Sequence, residues 1–327
     1  MENAIEVLDL TKHYGELLAV DHINFEVKRG EFFGLLGPNG AGKTTTIRML
    51  TGLTKPSSGT ATVAGYDIVH DDINIKRLIG VVPETSNLYG ELSVWGNMMF
   101  MAELYHVPSR DRVKRIKDLL ELFGLYGRRR DHVAVLSKGL KRRLTIAASI
   151  IHDPSILFLD EPTAGLDVQS SRLIKELVRK LSGEGKTIFF TTHHIEEADE
   201  LCQRIAIISH GKIVAIGSPE VLKAQIGEGH VIEVSFDKSS KSLEKSFKGE
   251  DYVISVTILG DKLRLHVDDP SEAVLRIVDF AKNRGLRVIS IDTLRPRLED
   301  AFVKLTGLTP VEVERLEQIR PKKRVHT

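Results

Sequence analysis

The stretch GPNGAGKTT, residues 37–45, decides the fold of this chain. It matches the pattern G-x-x-x-x-G-K-[ST], follows the apolar strand pattern EFFGLLG and opens the helical pattern TTTIRMLTGL. Glycines in such a loop let backbone N–H groups cradle phosphate oxygens, while Lys43 supplies a cation and Thr44 a candidate Mg²⁺ ligand. The predicted nucleotide-binding residues are Gly37, Pro38, Asn39, Gly40, Ala41, Gly42, Lys43, Thr44 and Thr45.

Two adjacent carboxylates end another apolar strand pattern. The segment ILFLDEP, residues 156–162, places Asp160 and Glu161 at the carboxyl end of a predicted buried strand. Asp160 suits Mg²⁺, directly or through water, and Glu161 is placed to orient and deprotonate an attacking water. Adjacent acids at a strand end can also be merely solvated, but the phosphate-binding loop upstream favours the catalytic interpretation.

Two further residues are candidates for nucleotide contacts. TTHH follows the strand pattern KTIFF, and His193 is preferred to His194 because it comes first after the strand. Its imidazole can hydrogen-bond a γ-phosphate oxygen or the attacking water, although a lone histidine is more often structural. Tyr14 lies in a predicted loop between the first two strands and can stack on a nucleobase; a core tyrosine is the alternative.

The stretch LSKGLKRRL, residues 136–144, has the pattern of a helix start. Ser137 is a suitable cap, whereas Gly139 is an unusual residue for a first turn. The charged run at residues 141–143 is interpreted as a solvated helix face.

The pattern of strands and helices predicts two domains. Residues 1–225 alternate buried strands with helices, which indicates an α/β domain with a mostly parallel sheet, and residues 90–150 within it are mainly helical. Residues 226–307 predict a small α+β domain, beginning with three alternating strands joined by short turns. Residues 308–327 form a terminal tail.

Composition limits the class of function. The chain has 327 residues and a net charge of +1, so no overall field favours nucleic acid or an anionic membrane. One cysteine excludes a disulfide framework or a multi-cysteine metal site and fits a reducing cytoplasm. Since no stretch approaches the ~20 apolar residues that span a bilayer, any membrane role is expected to act through a partner.

These motifs, in this order, resemble those of the ATP-binding subunits of ABC transporters over residues 1 to about 225. The resemblance comprises an aromatic loop at Tyr14, a Walker A loop at 37–45, a Q-loop-like VVPE at 81–84, a signature at 136–140, Walker B at 156–161, a D-loop at 164–167 and a switch histidine at His193. It implies a P-loop NTPase cassette that binds ATP and Mg²⁺, stacks adenine on Tyr14 and hydrolyses ATP, with Lys43, Glu161 and His193 as catalytic residues.

The resemblance also implies partners. In this family the signature, here Ser137 and Gly139, binds the γ-phosphate held by the Walker A loop of a second cassette. This chain has one cassette, so a homodimer or close heterodimer is expected. RPRLEDAFVKLTG, residues 295–307, resembles the ending of drug and antibiotic exporter cassettes that pair with ABC-2-type permeases. The subunit is therefore expected at the cytoplasmic face of the membrane, attached through a permease, with no nucleic-acid partner.

Three positions depart from the family pattern. Lys138 and Leu140 replace a glycine and the glutamine of the signature, and Glu84 replaces the Q-loop glutamine. Glu84 is predicted to keep the Q-loop role as a metal ligand, because a carboxylate binds Mg²⁺ more strongly than an amide does. Two alternatives remain open: a soluble ABC ATPase acting on ribosomes or nucleic acid, and a nucleotide sensor that does not hydrolyse ATP.

Overall fold

The computed structural model describes residues 2–225, 230–237, 239–294 and 297–308. It divides into two compact units, one ending at Pro219 and one spanning Glu220–Gly307. The sequence pattern predicts this boundary near residue 225, after the short helix Pro219–Ala224. In the structure the boundary lies at the start of that helix. Residues 226–229, at the start of the predicted second domain, and all but the first residue of the predicted tail at 308–327 lie outside the described residues. No helix in the described ranges is long and apolar enough to cross a bilayer.

The first unit alternates strands and helices along the chain. Its strands are β1 Asn3–Tyr14, β2 Leu17–Lys28, β3 Phe32–Leu36, β4 Ser58–Val63, β5 Tyr66–Asp67, β6 Ile79–Val82, β7 Ile156–Asp160, β8 Thr187–Thr192, β9 Arg204–Ser209 and β10 Lys212–Gly217. Its helices are α1 Lys43–Leu50, α2 Asp72–Leu78, α3 Val94–Leu104, α4 Ser109–Leu122, α5 Lys138–Ser149, α6 Val168–Gly183 and α7 Ile195–Leu201.

A six-stranded sheet in the order β10-β9-β3-β8-β7-β6 forms the centre of this unit. All of its strand pairs are parallel except β10 with β9, which confirms the predicted mostly parallel sheet. The segments FFGLL, ILFLD and TIFFTT are buried at every position, as expected for strands covered on both faces.

A second, antiparallel sheet in the order β2-β1-β4-β5 packs its apolar face toward the same core. Phe25 of β2 stacks on Phe33 of β3 with ring centroids 5.5 Å apart, which joins the two sheets. Elements β4, β5, α2 and β10 were not predicted from the sequence pattern. The pattern SGTATV of β4 is mostly polar and half exposed, and α2 buries only Ile75, so neither carries a strong hydrophobic period.

Helices α3, α4 and α5 account for most of the predicted helical region at 90–150. The helical region is interrupted near Pro108, because α3 ends at Leu104 and Pro108 immediately precedes α4. His106 between them has a positive φ of 56°, which turns the chain.

The order β3-β8-β7 determines where the site lies. In parallel strands the carboxyl ends share one edge of the sheet. The loop at 37–42 follows β3, the pair Asp160 and Glu161 lies at the end of β7, and His193 follows β8 directly between them. Leu36 pairs with Thr192, and Asp160 pairs with Thr191, so the three ends lie level.

The elements that follow β10 are α8 Pro219–Ala224, β11 His230–Phe236, α9 Ser240–Phe247, β12 Val253–Leu259, β13 Lys262–Val267, α10 Pro270–Asn283, β14 Val288–Leu294 and α11 Leu298–Thr306. Four strands of the second unit form an antiparallel sheet in the order β12-β13-β11-β14. Helices α9 and α10 contribute Leu243, Phe247, Ile277 and Phe280 to its apolar core.

The prediction of short turns between the first three strands of this unit is wrong at the first connection. Helix α9 lies between β11 and β12. Its sequence SKSLEKSF has two apolar residues, Leu243 and Phe247, and both are buried. Two apolar residues in eight give a weak helical period, so the sequence pattern missed it. The second connection, between β12 and β13, is the short turn predicted.

Candidate active site

The phosphate-binding loop is held between β3 and α1 by close backbone packing. A Cβ atom added at Gly37 would lie 2.3 Å from the carbonyl oxygen of Ile208, and one at Gly42 would lie 2.7 Å from that of Ala19. Gly42 also has φ of 110°, a conformation that residues with side chains rarely adopt. These glycines are therefore required by the loop's own packing as well as by the approach of a phosphate.

Lys43, the first residue of α1, is buried beneath this loop. Its Nζ donates hydrogen bonds to the carbonyl oxygens of Gly37 at 2.7 Å and Pro38 at 3.0 Å. The same Nζ lies 3.1 Å from Oε1 of Glu161. The ammonium group is thus fixed inside the loop, next to the predicted base.

Glu161 joins the loop to the residue that follows β8. While Oε1 contacts Lys43, Oε2 lies 2.9 Å from Nδ1 of His193. Burial alone would raise the pKa of Glu161, but the hydrogen bond to His193 and the charge of Lys43 outweigh it and lower the pKa to about 2. The three predicted catalytic residues therefore form one connected chain, with Glu161 ionised at its centre.

The backbone of Glu161 is held in an uncommon conformation. Its φ is 46°, and its N–H is directed to the backbone oxygen of Thr191 at 3.1 Å and to the Thr191 hydroxyl at 3.2 Å. Non-glycine residues with positive φ are concentrated at functional sites, because surrounding contacts must maintain the strain. The turn directs the Glu161 side chain toward the phosphate-binding loop.

Asp160 and Thr44 provide oxygen atoms suited to Mg²⁺. The Thr191 hydroxyl donates to Oδ1 of Asp160 at 2.7 Å, and Thr44 also hydrogen-bonds this carboxylate. Burial raises the pKa of Asp160, while these hydrogen bonds act in the opposite direction. Mg²⁺ is typically held by one or two protein oxygens together with substrate phosphates and water, so a hydroxyl and a carboxylate beside a phosphate loop fit that ion.

Among the residues that the structure describes, no group of three or more His, Cys, Asp or Glu side chains could hold a metal ion without other ligands. Glu84 follows β6 with an exposed side chain and lines the same cleft as Lys43 and Glu161. Its assignment as a metal ligand stays a prediction.

Tyr14 is placed at the rim of the cleft. It is the last residue of β1, instead of lying in a loop as predicted, and it is 43% exposed, which excludes the alternative of a core tyrosine. The Nζ of Lys12 lies 5.2 Å from its ring centroid. The ring lines a cleft of about 960 Å³ that also contains the phosphate loop, so it is available for stacking on a base.

The signature segment forms the start of α5, as its pattern predicted. Ser137 caps the helix by accepting a hydrogen bond from the N–H of Leu140 at 3.3 Å, which leaves its hydroxyl proton for a phosphate oxygen. A Cβ atom at Gly139 would lie 2.4 Å from Oγ of Ser170, so packing against α6 requires glycine there. Lys138 donates to the carbonyl oxygens of Ala164 at 2.9 Å and Gly165 at 3.1 Å.

The interpretation of residues 141–143 as a solvated face is wrong for Arg142. Its side chain is 5% exposed, and its guanidinium donates to backbone oxygens of Pro83, Glu84 and Glu161. The neighbouring Arg143 donates to the backbone oxygen of Phe123 at 3.1 Å. Charge alone does not distinguish a solvated arginine from one whose head group is bound by carbonyls, so the sequence pattern carried no signal for this burial.

Sequence reasoning also missed two residues that support the site. Thr191 hydrogen-bonds Asp160 across the β7–β8 pair, and Glu197 accepts from the hydroxyls of Thr163 at 2.8 Å and Thr192 at 3.2 Å. Glu197 thereby joins the segment after Glu161 to the segment before His193. Both contacts depend on which strands are neighbours, and no local motif marks them.

Comparison with known proteins identifies the family of this chain. Residues 20–164 match the ABC transporter family model. The chain is 36% identical over 307 residues to the linearmycin resistance ATP-binding protein LnrL of Bacillus subtilis (strain 168), covering 93% of this chain and 99% of that protein. It is 39% identical over 304 residues to the Nod factor export ATP-binding protein I of Rhizobium sp. (strain N33), covering 93% and 97%.

A solved structure shares the fold over about two thirds of this chain. It is a dimeric, post-hydrolysis state of an ATP-binding cassette bound to ADP and Pi, with a TM-score of 0.60 and 27% identity over 65% of this chain and 98% of that one. The phosphate loop, the Lys43–Glu161–His193 chain and the full-length relatives all lead to one assignment. This chain belongs to the ABC transporter family, as an ATP-binding subunit that hydrolyses ATP.

Proposed function

We propose that two copies of this subunit bind two ATP–Mg²⁺ between them and drive export through a separate ABC-2-type membrane permease. The observation that carries the hydrolytic mechanism is the position of Glu161, between Lys43 in the phosphate loop and His193 after β8. The observation that supports export is the similarity to an export protein and a resistance protein over 93% of this chain, which includes the second unit.

Nucleotide binding is assigned to one edge of the first unit. The backbone N–H groups of residues 37–45 and the start of α1 offer donors and a positive dipole to the phosphates, and Tyr14 offers a face for adenine. Thr44 and Asp160 would hold Mg²⁺, which when bound neutralises phosphate charge. Glu84, on the same cleft, is proposed to add a carboxylate oxygen to that ion.

Before ATP binds, the ion pair with Lys43 makes Glu161 a weak base, and ATP binding weakens that ion pair. A carboxylate with a pKa of about 2 is a weak base, and the cation of Lys43 is one cause of that low value. Phosphate oxygens that bind in the loop compete with Glu161 for the ammonium group of Lys43. The pKa of Glu161 then rises while His193 keeps its carboxylate oriented, so Glu161 can accept a proton from the attacking water.

The signature segment completes the site of the other copy. Ser137 and the N–H of Gly139, at the start of α5, are proposed to bind the γ-phosphate held in the partner's phosphate loop. Positioning and charge stabilisation from these donors and Lys43 lower the barrier. Closure of the pair would switch the permease, and hydrolysis would reopen it, with the subunit attached to the cytoplasmic face of the membrane.

Affinity capture of the tagged subunit from membranes of its own cells tests the transport assignment. Mass spectrometry of the captured proteins should identify a polytopic membrane protein that is absent from an untagged control strain. The Lys43→Ala variant, which should lose ATP binding but keep its surface, should capture the same protein. Capture of ribosomal proteins or nucleic acid with no membrane partner would contradict the proposal.

A further inference from the structure

Arg142 is a buried arginine in α5 that the mechanism above does not use. Its guanidinium donates to the backbone oxygens of Pro83 and Glu84, which follow β6, and to that of Glu161, which follows β7. The distance to the Glu84 oxygen is 2.7 Å and that to the Glu161 oxygen is 3.3 Å. One side chain therefore joins the Glu84 segment to the main chain of the predicted base.

The geometry depends on the shape of the arginine head group. A guanidinium presents several N–H donors in a rigid plane, so one group can reach carbonyls from two separate segments. A lysine ammonium at this position would keep the charge but not the fork. The two segments are strand ends of the parallel sheet, and β6 pairs with β7 only as far as Val82 with Leu159, before Pro83 and Glu84 begin.

The charges around Arg142 are mainly negative. Burial lowers the pKa of the guanidinium, and the carboxylates of Glu84, Asp160 and Glu161 act in the opposite direction. Lys43 and His193 contact Glu161 from the other side. A cation at residue 142 thus lies among three carboxylates, one of which, Glu84, stands where the family pattern has a neutral glutamine.

We propose that Arg142 is a positioning residue for hydrolysis, which fixes the main chain of Glu161 relative to the Glu84 segment. This inference rests on the proposed role of Glu161 as the base. Loss of the guanidinium contacts displaces Glu161 from the attacking water, while the phosphate-binding loop keeps its own contacts. Turnover should therefore fall without a matching loss of ATP binding.

The test measures phosphate release by the purified full-length chain over a range of ATP concentrations. Arg142→Met should lower kcat by about 10- to 100-fold, with KM for ATP changed by less than about threefold. Arg142→Lys should also lower kcat, because an ammonium keeps the charge but cannot reach carbonyls of both segments.

The adjacent arginine provides the matched control. Arg143 donates to the backbone oxygen of Phe123, outside the cleft, so Arg143→Met should leave kcat and KM unchanged. A double variant tests whether Arg142 acts through Glu161. Because Arg142→Met is proposed to act by displacing Glu161, adding it to Glu161→Gln should lower kcat by less than about a further threefold. A general loss of stability would lower kcat in both backgrounds.

Two results would overturn the proposal: wild-type kcat in Arg142→Met, or a loss of kcat on adding Arg142→Met to Glu161→Gln that is as large as the loss in the wild-type background. If Arg142→Met does not fold, wild-type kcat in Arg142→Lys would overturn it instead. The assignment of Glu161 as the base is tested separately. If Glu161 is not the base, Glu161→Gln will show normal turnover, whatever the results for the Arg142 variants.

Discussion

At the scale of single residues, Glu161 shows how a charged group can be buried and remain ionised. A buried carboxylate normally has a raised pKa, but Lys43 at 3.1 Å and His193 at 2.9 Å reverse the effect. These contacts explain why an acid is tolerated at a buried strand end. They also make the stability of the resting subunit depend on pH.

We expect this dependence to appear in acid. The ordinary pKa of a glutamate side chain is 4.5, whereas the pKa of Glu161 in the folded subunit is about 2. The ionised form of Glu161 therefore stabilises the fold. That contribution is at most about 3 kcal/mol. It is complete at pH values above the ordinary pKa and is lost as the pH falls through the pKa of the folded state. The Glu161→Gln variant does not titrate there, so the wild type should lose stability relative to it between these two pH values.

Thermal unfolding in a series of buffers measures the effect. The difference in Tm between the wild type and Glu161→Gln should be constant above the ordinary pKa and change in favour of the variant below it. Glu16→Gln, at an exposed turn, controls for the loss of one carboxylate. A difference that does not depend on pH would show that Glu161 gains no such stabilisation from Lys43 and His193.

At the scale of elements, the close contact of α5 and α6 accounts for the glycine in the first turn of α5. A methyl group at Gly139 would lie 2.4 Å from Oγ and 2.9 Å from Cβ of Ser170. The hydroxyl could rotate away, but the Cβ contact requires a shift of one helix. Ser137, the cap of α5, is the adjacent residue, so packing and phosphate binding are coupled at this helix start.

Gly139→Ala should therefore destabilise the first unit by about 1–3 kcal/mol, because overpacking forces backbone shifts. The measurement is the midpoint of urea unfolding of the wild type and variant. Adding Ser170→Gly should recover most of the loss by removing both contacting atoms. Gly183→Ala, at the other end of α6 with no atom within 4 Å of the added methyl, is the matched control and should not destabilise. Equal midpoints for Gly139→Ala and the control would contradict the packing argument.

At the scale of the whole molecule, the single cassette presents half of each proposed site. The phosphate loop and the signature segment both belong to the first unit, and the second unit has a separate apolar core of its own. Since the proposed mechanism needs a signature from a second copy, ATP should control the association of two chains.

Glu161→Gln should trap that association. The amide retains the size of the side chain but cannot accept the proton, so turnover should fall by about 10²- to 10⁴-fold while ATP binding is kept. Light scattering with ATP and Mg²⁺ should give twice the 36.5 kDa mass of one chain. Lys43→Ala, which should lose the phosphate contact, is the control and should stay monomeric. Near-normal turnover in Glu161→Gln would place the base elsewhere.

The sequence by itself determined the chemistry and the class of fold. The phosphate loop, the pair Asp160 and Glu161, and His193 are each a short run at a strand end, so spacing along the chain is sufficient to find them. The same holds for the buried parallel strands, whose uninterrupted apolar runs reflect burial on both faces. Local chemistry and local periodicity can be read without knowing which elements are neighbours.

Only the tertiary structure decided how these runs meet. The order β3-β8-β7 brings Lys43, Glu161 and His193 into contact, and no local pattern specifies that order. The burial of Arg142 and the packing of Gly139 against Ser170 likewise depend on segments far apart in the chain. A charged residue or a glycine has the same local signature whether it is solvated or enclosed, so its role is settled by long-range packing.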